Sequence, residues 1–75
     1  MSTQVEKKLE KANKEFKKIP PNYKKLANEH YGTTSSNFNL MLKGRAKTVK
    51  TIDRLIASCK WAQSEAKVRF NNHYK

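Results

Sequence analysis

A cluster of short polar side chains lies between the two glycines of this chain. The uncharged stretch 33–42 contains Ser35, Ser36, Asn37 and Asn39. Hydroxyl and amide groups donate and accept hydrogen bonds, and on a helix surface they suit the edges of nucleic-acid bases. The same residue types weaken a helix, because they compete for its backbone hydrogen bonds. Two interpretations therefore stay open: a poor helix or loop that packing rescues, or a surface that reads bases.

Basic side chains dominate the charge of the chain. Lys and Arg number 17 against 6 Asp and Glu, which gives a formal net charge of +11 and an isoelectric point near 10.1. Residues 32–75 carry nine basic and two acidic side chains, whereas residues 1–31 carry eight and four. This excess is larger than solubility requires and indicates a polyanionic partner.

Side chains that could catalyse a reaction or hold a metal ion are few and scattered. Six carboxylates, His30, His73 and Cys59 form no set of nucleophile, base and orienting group, and Gly32 and Gly44 alone make no phosphate-binding loop. One cysteine forms neither an internal disulfide nor a zinc site by itself, and it fits a small core residue better than a redox sensor. We therefore expect a protein that is not an enzyme and binds no cofactor or metal.

The chain contains no long apolar run. Its longest uncharged stretch, residues 31–42, consists mainly of Thr, Ser and Asn. We therefore expect no membrane-spanning segment and no signal peptide, and an intracellular, cytoplasmic protein. In a chain of 75 residues there is room for one small domain and no separate effector domain.

The spacing of apolar residues predicts the helices that must position the polar cluster. A first helix at about 4–18 has an inner stripe of four residues, namely Val5, Leu9, Ala12 and Phe16. Thr3 and Glu6 are spaced as a capping box at its start. Pro20 and Pro21 end it, because proline disfavours the helical conformation of the residue before it, and Ile19 is expected to turn inward.

Two shorter helices should follow. The second, of about two turns, is predicted to begin at an Asn22 cap and to end at Gly32, with its inner face made by Tyr23, Leu26, Ala27 and Tyr31. Thr33 or Thr34 caps the third, which ends at Gly44. The third helix buries Phe38, Met41 and Leu42.

A long fourth helix is predicted after the basic link 45–48, with Thr48 as its cap. Its inner stripe is Val49, Ile52, Leu55, Ile56 and Cys59, continued by Ala62 and Ala66. Ala57, Trp61 and Val68 lie along a different face, and Trp61 either packs beneath the first helix or faces a second subunit. Trp61 and Val68 are therefore the candidate residues of a dimer interface.

Together these patterns predict one all-α domain at 1–75, a small bundle of four or five helices. It divides into an amino-terminal helix at 1–20, a middle segment at 22–44 and a carboxy-terminal helix at 48–71.

Residues 26–57, LANEHYGTTSSNFNLMLKGRAKTVKTIDRLIA, resemble the helix-turn-helix of the lambda-repressor and Cro type, the xenobiotic-response-element family. The shared features are a Leu-Ala pair, a turn glycine, two spaced hydrophobic residues and a second glycine, here Leu26, Ala27, Gly32, Phe38, Met41 and Gly44. The stripe after the basic link is similar to the family's following helix. One position departs: the usual alanine precedes the turn glycine by four residues, and Asn28 stands there.

The resemblance implies that 22–44 is a DNA-binding helix-turn-helix whose second helix enters the major groove. The positions that resemble base-contacting ones are Ser35, Ser36, Asn39 and Leu40, together with Asn37. Those expected to contact DNA phosphates are Tyr23, Lys24, Lys25, Lys43, Arg45 and Lys47. Each lysine alone is better explained as a solvated surface residue, so the cluster is the stronger evidence.

The function expected from the resemblance is a small Cro-like repressor in a bacterium, phage or mobile element. It would bind double-stranded DNA at an operator, be associated with the nucleoid and form a homodimer on a two-fold site. It would act by excluding polymerase or a competing regulator.

A second class of function stays open, a small basic phage-type accessory or inhibitor protein that binds an acidic protein partner. Reading DNA requires Ser35, Ser36 and Asn39 to be exposed beside lysines, whereas docking requires an exposed apolar patch through Leu40 and Trp61. RNA binding has less support because the aromatic residues are dispersed. Membrane-surface binding by the first helix has less support because its lysines alternate with glutamates.

Overall fold

Four α-helices and the segments that join them make up residues 3–73, the part of the chain that the computed structural model describes. The helices are α1 (Gln4–Lys17), α2 (Lys24–Tyr31), α3 (Ser35–Leu40) and α4 (Val49–His73). A 3₁₀ turn (Pro21–Tyr23) precedes α2, and a wider helical turn (Met41–Arg45) continues α3. No strand occurs among these residues, so the predicted all-α class is confirmed.

Threonine side chains start α1 and α4, as predicted. Thr3 Oγ1 accepts a hydrogen bond from the backbone N–H of Glu6 at 3.1 Å. Thr48 Oγ1 accepts one from the N–H of Thr51 at 3.3 Å. Each bond satisfies an amide that has no partner inside its own helix. At its other end α4 continues to His73, two residues beyond the predicted end at 71.

The start of α2 differs from the prediction. Asn22 lies inside the 3₁₀ turn, in which the N–H of Tyr23 donates to the carbonyl oxygen of Pro20 at 2.8 Å. The two prolines favour this tight turn because each ring holds φ near −65°. Helix α2 begins only after it, with no side-chain cap, so the prediction of an Asn22 cap is wrong.

Helix α4 is the element on which α1 and α2 pack. Three contacts join the two helices: Lys8 with Asp53, Ala12 with Cys59, and Glu15 with Gln63. From one contact to the next, the residue numbers rise along both α1 and α4. This order means that α1 runs parallel to α4. The Cys59 Sγ lies 3.9 Å from the Ala12 carbonyl oxygen, which the small side chains at both positions permit.

Helix α2 runs antiparallel to α4. His30 hydrogen-bonds Ser58 and stacks on Trp61, while Tyr31 accepts a hydrogen bond through its carbonyl oxygen from Arg54. The indole of Trp61 thus packs against α2, and its predicted alternative position beneath the first helix is wrong. The reason is tertiary: Ser58 and Trp61 lie on the side of α4 that faces α2, opposite to the side that carries Gln63.

Helix α3 lies across α1 and α2. The ring of Phe38 is 1% exposed and packs on Phe16 of α1, with ring centroids 5.6 Å apart, and on the edge of Tyr31, at 6.0 Å. The amide of Asn13 in α1 donates to the carbonyl oxygen of Leu42 at 2.8 Å. These contacts fix which side of α3 faces the core and which faces solvent.

The predicted inner stripes form the core. Its largest fully buried side chains are Phe38, Ile19, Ile52, Leu55 and Cys59. Smaller or less complete contributions come from Ala12, Leu26, Ala27, Met41, Leu42, Ile56, Ala62 and Ala66. Val49 is only half-buried at the first turn of α4. Burying each large apolar side chain contributes about 1.5–3 kcal/mol, so the packing of Phe38 is a main determinant of where α3 lies.

Candidate nucleic-acid interface

A three-residue turn, residues 32–34, joins α2 to α3. Gly32 has φ +93°, a conformation that side chains disfavour, and its N–H donates to the carbonyl oxygen of Asn28 at 2.9 Å. The N–H of Thr33 donates to the same oxygen at 3.0 Å. Gly32 therefore ends α2 as predicted and turns the chain sharply into α3.

The side chain of Asn28 holds the turn between α2 and α3. Asn28 is 9% exposed, and its amide donates to the carbonyl oxygen of Thr33 at 2.9 Å. Alanine at this position would leave that bond unmade. Sequence reasoning noticed the unusual residue but not its role, although a buried polar residue next to a turn glycine is a signal for such a bond.

Thr34 and Asn37 fix the start of α3. Thr34 Oγ1 accepts a hydrogen bond from the backbone N–H of Asn37 at 3.1 Å, so Thr34 is the cap. The Asn37 amide donates to Thr33 Oγ1 at 2.7 Å and is half-buried. The predicted base contact of Asn37 is thus not supported by the geometry, because its side chain ties α3 to the turn.

The outer side of α3 carries the other predicted base-contacting residues. Ser36, Asn39, Leu40 and Lys43 are spaced by three, four and seven residues, so they share one helix face, with Ser35 beside them. All five are exposed, and the side chain of Leu40 is 45% exposed. We call these five residues the α3 face.

One member of the α3 face is engaged locally. The Asn39 amide donates to the backbone carbonyl oxygen of Ser35, one turn earlier, at 3.0 Å. Because this bond is exposed to water, exchanging it for a bond to another partner costs little. Asn39 can therefore both hold a defined rotamer and release its amide to a base.

A basic loop follows the α3 face. Gly44 has φ +129°, and the N–H of Ala46 donates to the carbonyl oxygen of Met41 at 3.4 Å, which ends the helical turn where predicted. Ala46 is 5% exposed and anchors the loop, while Arg45 and Lys47 on either side are exposed. Lys43, Arg45 and Lys47 therefore all point away from the core.

A groove of about 480 Å³ separates the end of α3 from the start of α4. It is lined by Asn37, Met41, Arg45, Ala46, Lys47, Thr48 and Thr51. The sequence contains no acidic residue between Glu29 and Asp53, and Asp53 is paired with Lys8 at 2.7 Å. The charge contributed by this part of the chain is therefore positive, as a phosphate-binding surface requires.

The three predicted phosphate contacts in and before α2 have different environments. Tyr23 is half-buried and lines a second groove beside α4, and the Lys24 Nζ lies 4.9 Å from the centroid of the Phe16 ring. Both side chains are thus engaged within the molecule, and the geometry does not favour phosphate contacts by them. Lys25 is exposed, and its contact with phosphate stays a prediction.

Cys59 and His30, which were considered as reactive or metal-binding residues, make contacts within the fold. Burial raises the pKa of the Cys59 thiol to about 12, so it stays protonated in the core. His30 Nδ1 lies 3.1 Å from Ser58 Oγ, and its ring stacks on Trp61 with centroids 4.7 Å apart. Among the side chains that the structure describes, in residues 3–69, no three His, Cys, Asp or Glu are grouped as a metal site.

No protein-family model, curated protein or solved structure matches this chain. Over the residues that can be described, none of the helices is both long enough and apolar enough to cross a bilayer.

Proposed function

We propose that this chain is a small DNA-binding transcriptional regulator of the Cro-like type, and that the α3 face reads the major groove of double-stranded DNA. The observation that carries the proposal is the exposure of Ser35, Ser36, Asn39 and Leu40 directly beside three exposed cations. A solvated helix face needs neither this run of short polar residues nor this concentration of positive charge.

Each side chain of the α3 face suits a different part of the groove. Asn39 can form a bidentate pair with adenine once its bond to Ser35 is exchanged, because its amide N–H can donate to N7 while its amide oxygen accepts from the N6 amino group. The hydroxyls of Ser35 and Ser36 can form hydrogen bonds with any of several bases. The exposed Leu40 side chain can contact the methyl group of thymine. Sequence preference would therefore depend most on Asn39.

The cations would position the protein without reading sequence. Lys43 belongs to the α3 face, Arg45 and Lys47 follow it in the basic loop, and Lys25 is exposed on α2. Charges of this kind neutralise phosphates and release bound counterions, so affinity falls as salt rises. Four such contacts in each chain correspond to about a 100-fold loss of affinity for a fourfold increase in salt.

The exposed parts of Trp61 and Val68 on α4 are the proposed contact with a second copy of the chain. Trp61 and Val68 are 39% and 53% exposed and lie seven residues apart, hence on one side of the helix. Pairing through them would present two α3 faces to the two halves of a two-fold operator. Occupancy of the operator would repress transcription by excluding polymerase or a competing regulator.

Docking on an acidic protein through Leu40 and Trp61 has less support. Leu40 lies on the outer side of α3, whereas Trp61 reaches from α4 onto the His30 ring of α2. The exposed side chains of Leu40 and Trp61 belong to different helices, α3 and α4. Helix α3 alone therefore does not form the apolar patch that docking requires.

Fluorescence anisotropy with random duplex DNA from about 50 to 200 mM salt, beside selection from a randomised duplex pool, tests the proposal. We expect a steep loss of affinity with salt and enrichment of one short sequence. Binding without enrichment would overturn sequence reading and leave a nonspecific nucleic-acid binder. Absence of binding at the lowest salt would overturn the DNA function altogether.

A further inference from the structure

A second groove lies away from the α3 face, where the end of α1 and the 3₁₀ turn pass over α4. Its volume is about 540 Å³, and it is lined by Lys18, Pro20, Asn22, Tyr23, Gln63, Ala66 and Lys67. Grooves of about 300–1,000 Å³ are large enough to bury most of a bound ligand. The DNA-binding proposal uses none of these residues.

Three of the residues that line this groove are apolar or aromatic. Ala66 is 2% exposed and belongs to α4, while Pro20 and the half-buried Tyr23 come from the segment between α1 and α2. A methyl group, a proline ring and one side of a phenol ring make a surface that suits a single large apolar side chain. Burying such a side chain from water is favourable in proportion to the area covered.

Two lysines also line the groove. Lys18 comes from the end of α1 and has a 65% exposed side chain, and Lys67 comes from α4 and is exposed. The neighbouring carboxylate of Glu15 is 11% exposed and already lies 3.2 Å from Lys18 Nζ. The Gln63 amide already donates to the carbonyl oxygen of Glu15 at 2.8 Å, so the two lysines and the amide of Asn22 are the hydrogen-bond donors offered to a ligand that supplies acceptors.

We propose that this groove docks a short acidic segment of a partner protein, which inserts one large apolar side chain over Ala66 and places carboxylates against Lys18 and Lys67. The two lysines favour an acidic ligand, and the apolar surface of Pro20, Tyr23 and Ala66 favours an apolar side chain. Single-stranded nucleic acid fits less well, because Tyr23 is the single aromatic ring among the described residues that line the groove, and stacking binders present several.

The position of the groove allows it to work beside the DNA surface. Tyr23 lies just before the amino-terminal end of α2, and the turn to α3 lies at the other end, about 12 Å away along the helix axis. The same chain can therefore contact DNA with the α3 face and hold a partner in the groove. The inference goes beyond the proposed function and does not depend on it.

A synthetic peptide tests the groove directly. The probe is acetyl-Glu-Asp-Phe-Glu-Asp-amide, titrated into the full ¹⁵N-labelled chain while backbone amide shifts are followed by NMR. We expect shifts concentrated at residues 18–23 and 63–67 and a Kd below about 1 mM. Replacing the phenylalanine of the peptide with alanine should weaken binding at least about tenfold, because the buried apolar side chain is lost.

Two charge reversals separate the groove from general attraction to a basic protein. Lys67→Glu should weaken peptide binding about fivefold or more, whereas Lys7→Glu, an exposed position in the first turns of α1, makes the same charge change and should alter it less than twofold. Lys67→Glu should leave the enrichment of a DNA sequence unchanged, so failure of docking and failure of DNA reading can be told apart.

Several outcomes would overturn the inference. Equal weakening by Lys7→Glu and Lys67→Glu would mean that binding depends on net charge alone. Shifts confined to α3, or no binding at about 1 mM peptide, would remove the groove as a docking site. Displacement of the peptide by a hexamer of thymidylate at the same amide signals would assign the groove to nucleic acid instead.

Discussion

The side-chain amide of Asn28 donates a hydrogen bond at 2.9 Å to the carbonyl oxygen of Thr33, across the turn that joins α2 to α3. The backbone carbonyl of the same Asn28 accepts from the N–H groups of Gly32 and Thr33. One buried residue thus holds both sides of the turn. The orientation of the α3 face relative to the rest of the molecule depends on this bond.

Replacing Asn28 with alanine should destabilise the protein even though alanine is the residue that the family pattern has there. The change leaves the Thr33 carbonyl oxygen without its side-chain donor, and we expect a loss of about 1–2 kcal/mol in the free energy of unfolding. Urea denaturation followed by circular dichroism measures this loss. Asn22→Ala is the matched control, since Asn22 caps no helix, and it should change stability by less than about 0.5 kcal/mol. Equal stability of wild type and Asn28→Ala would contradict the role of the bond.

Much of the fold follows from local patterns in the sequence. Caps at Thr3 and Thr48 and the ends of helices at Gly32 and Gly44 involve residues within a few positions of one another, so a short window of sequence contains the relevant chemistry. The buried positions follow helical periodicity for the same reason. Phe38 in α3 is the clearest case, since both its neighbours at helical spacing, Met41 and Leu42, are also buried.

The environments of Lys24 and Trp61 depend on contacts between segments that are distant in sequence. Lys24 is predicted to face phosphate, but the ring of Phe16 comes within 4.9 Å of its Nζ only because α1 folds back beside α2. Trp61 finds His30 across 31 positions of sequence. No local spacing identifies such partners, because they are selected by which helix faces remain uncovered after the core has formed. The groove beside Tyr23 is missed for the same reason.

Acid should weaken the protein through Glu15. A hydrogen bond from Lys18, assisted by the charge of Lys60, holds the pKa of the Glu15 carboxyl below its usual value of 4.5, against the opposing effect of burial. A carboxyl with a lowered folded-state pKa stabilises the fold above its unfolded pKa, and this contribution is lost as pH falls through the folded value. We therefore expect stability to drop between about pH 5 and pH 3.

A neutral variant isolates this contribution. Glu15→Gln should be less stable than wild type at pH 7 and should lose less stability between pH 5 and pH 3. Urea midpoints measured at both pH values for the two proteins give the comparison. Glu10→Gln, at an exposed position of the same helix with no described ion pair, is the matched control. A pH dependence that is identical in wild type and Glu15→Gln would assign the acid sensitivity to other carboxyls.

Val68 tests the proposed pairing of two chains through α4. The side chain is 53% exposed, so an interface would cover about half of it in each copy. Val68→Gln should raise the dimer dissociation constant about 30-fold while leaving the fold intact, because the apolar area is lost twice in a symmetric contact. Sedimentation equilibrium measures the constant. Leu40→Gln, an equally conservative change on α3, should leave the dimer dissociation constant unaltered. A wild-type chain that is monomeric at about 100 μM would rule out the proposed dimer interface.

The last prediction separates sequence reading from phosphate contact within the α3 face. Asn39 and Lys43 are both exposed and lie one helical turn apart. Asn39→Ala should reduce discrimination at one base pair of the selected DNA site by about 1–3 kcal/mol, because a bidentate amide contact is lost. Lys43→Ala should instead weaken binding to every duplex by a similar factor and lower the slope of log affinity against log salt by about 1, because one phosphate contact is removed. Competition anisotropy with the selected site and its single-base variants distinguishes the two patterns. If both variants lose affinity equally for all duplexes, Asn39 holds phosphate or structure and the base-reading role assigned to α3 fails.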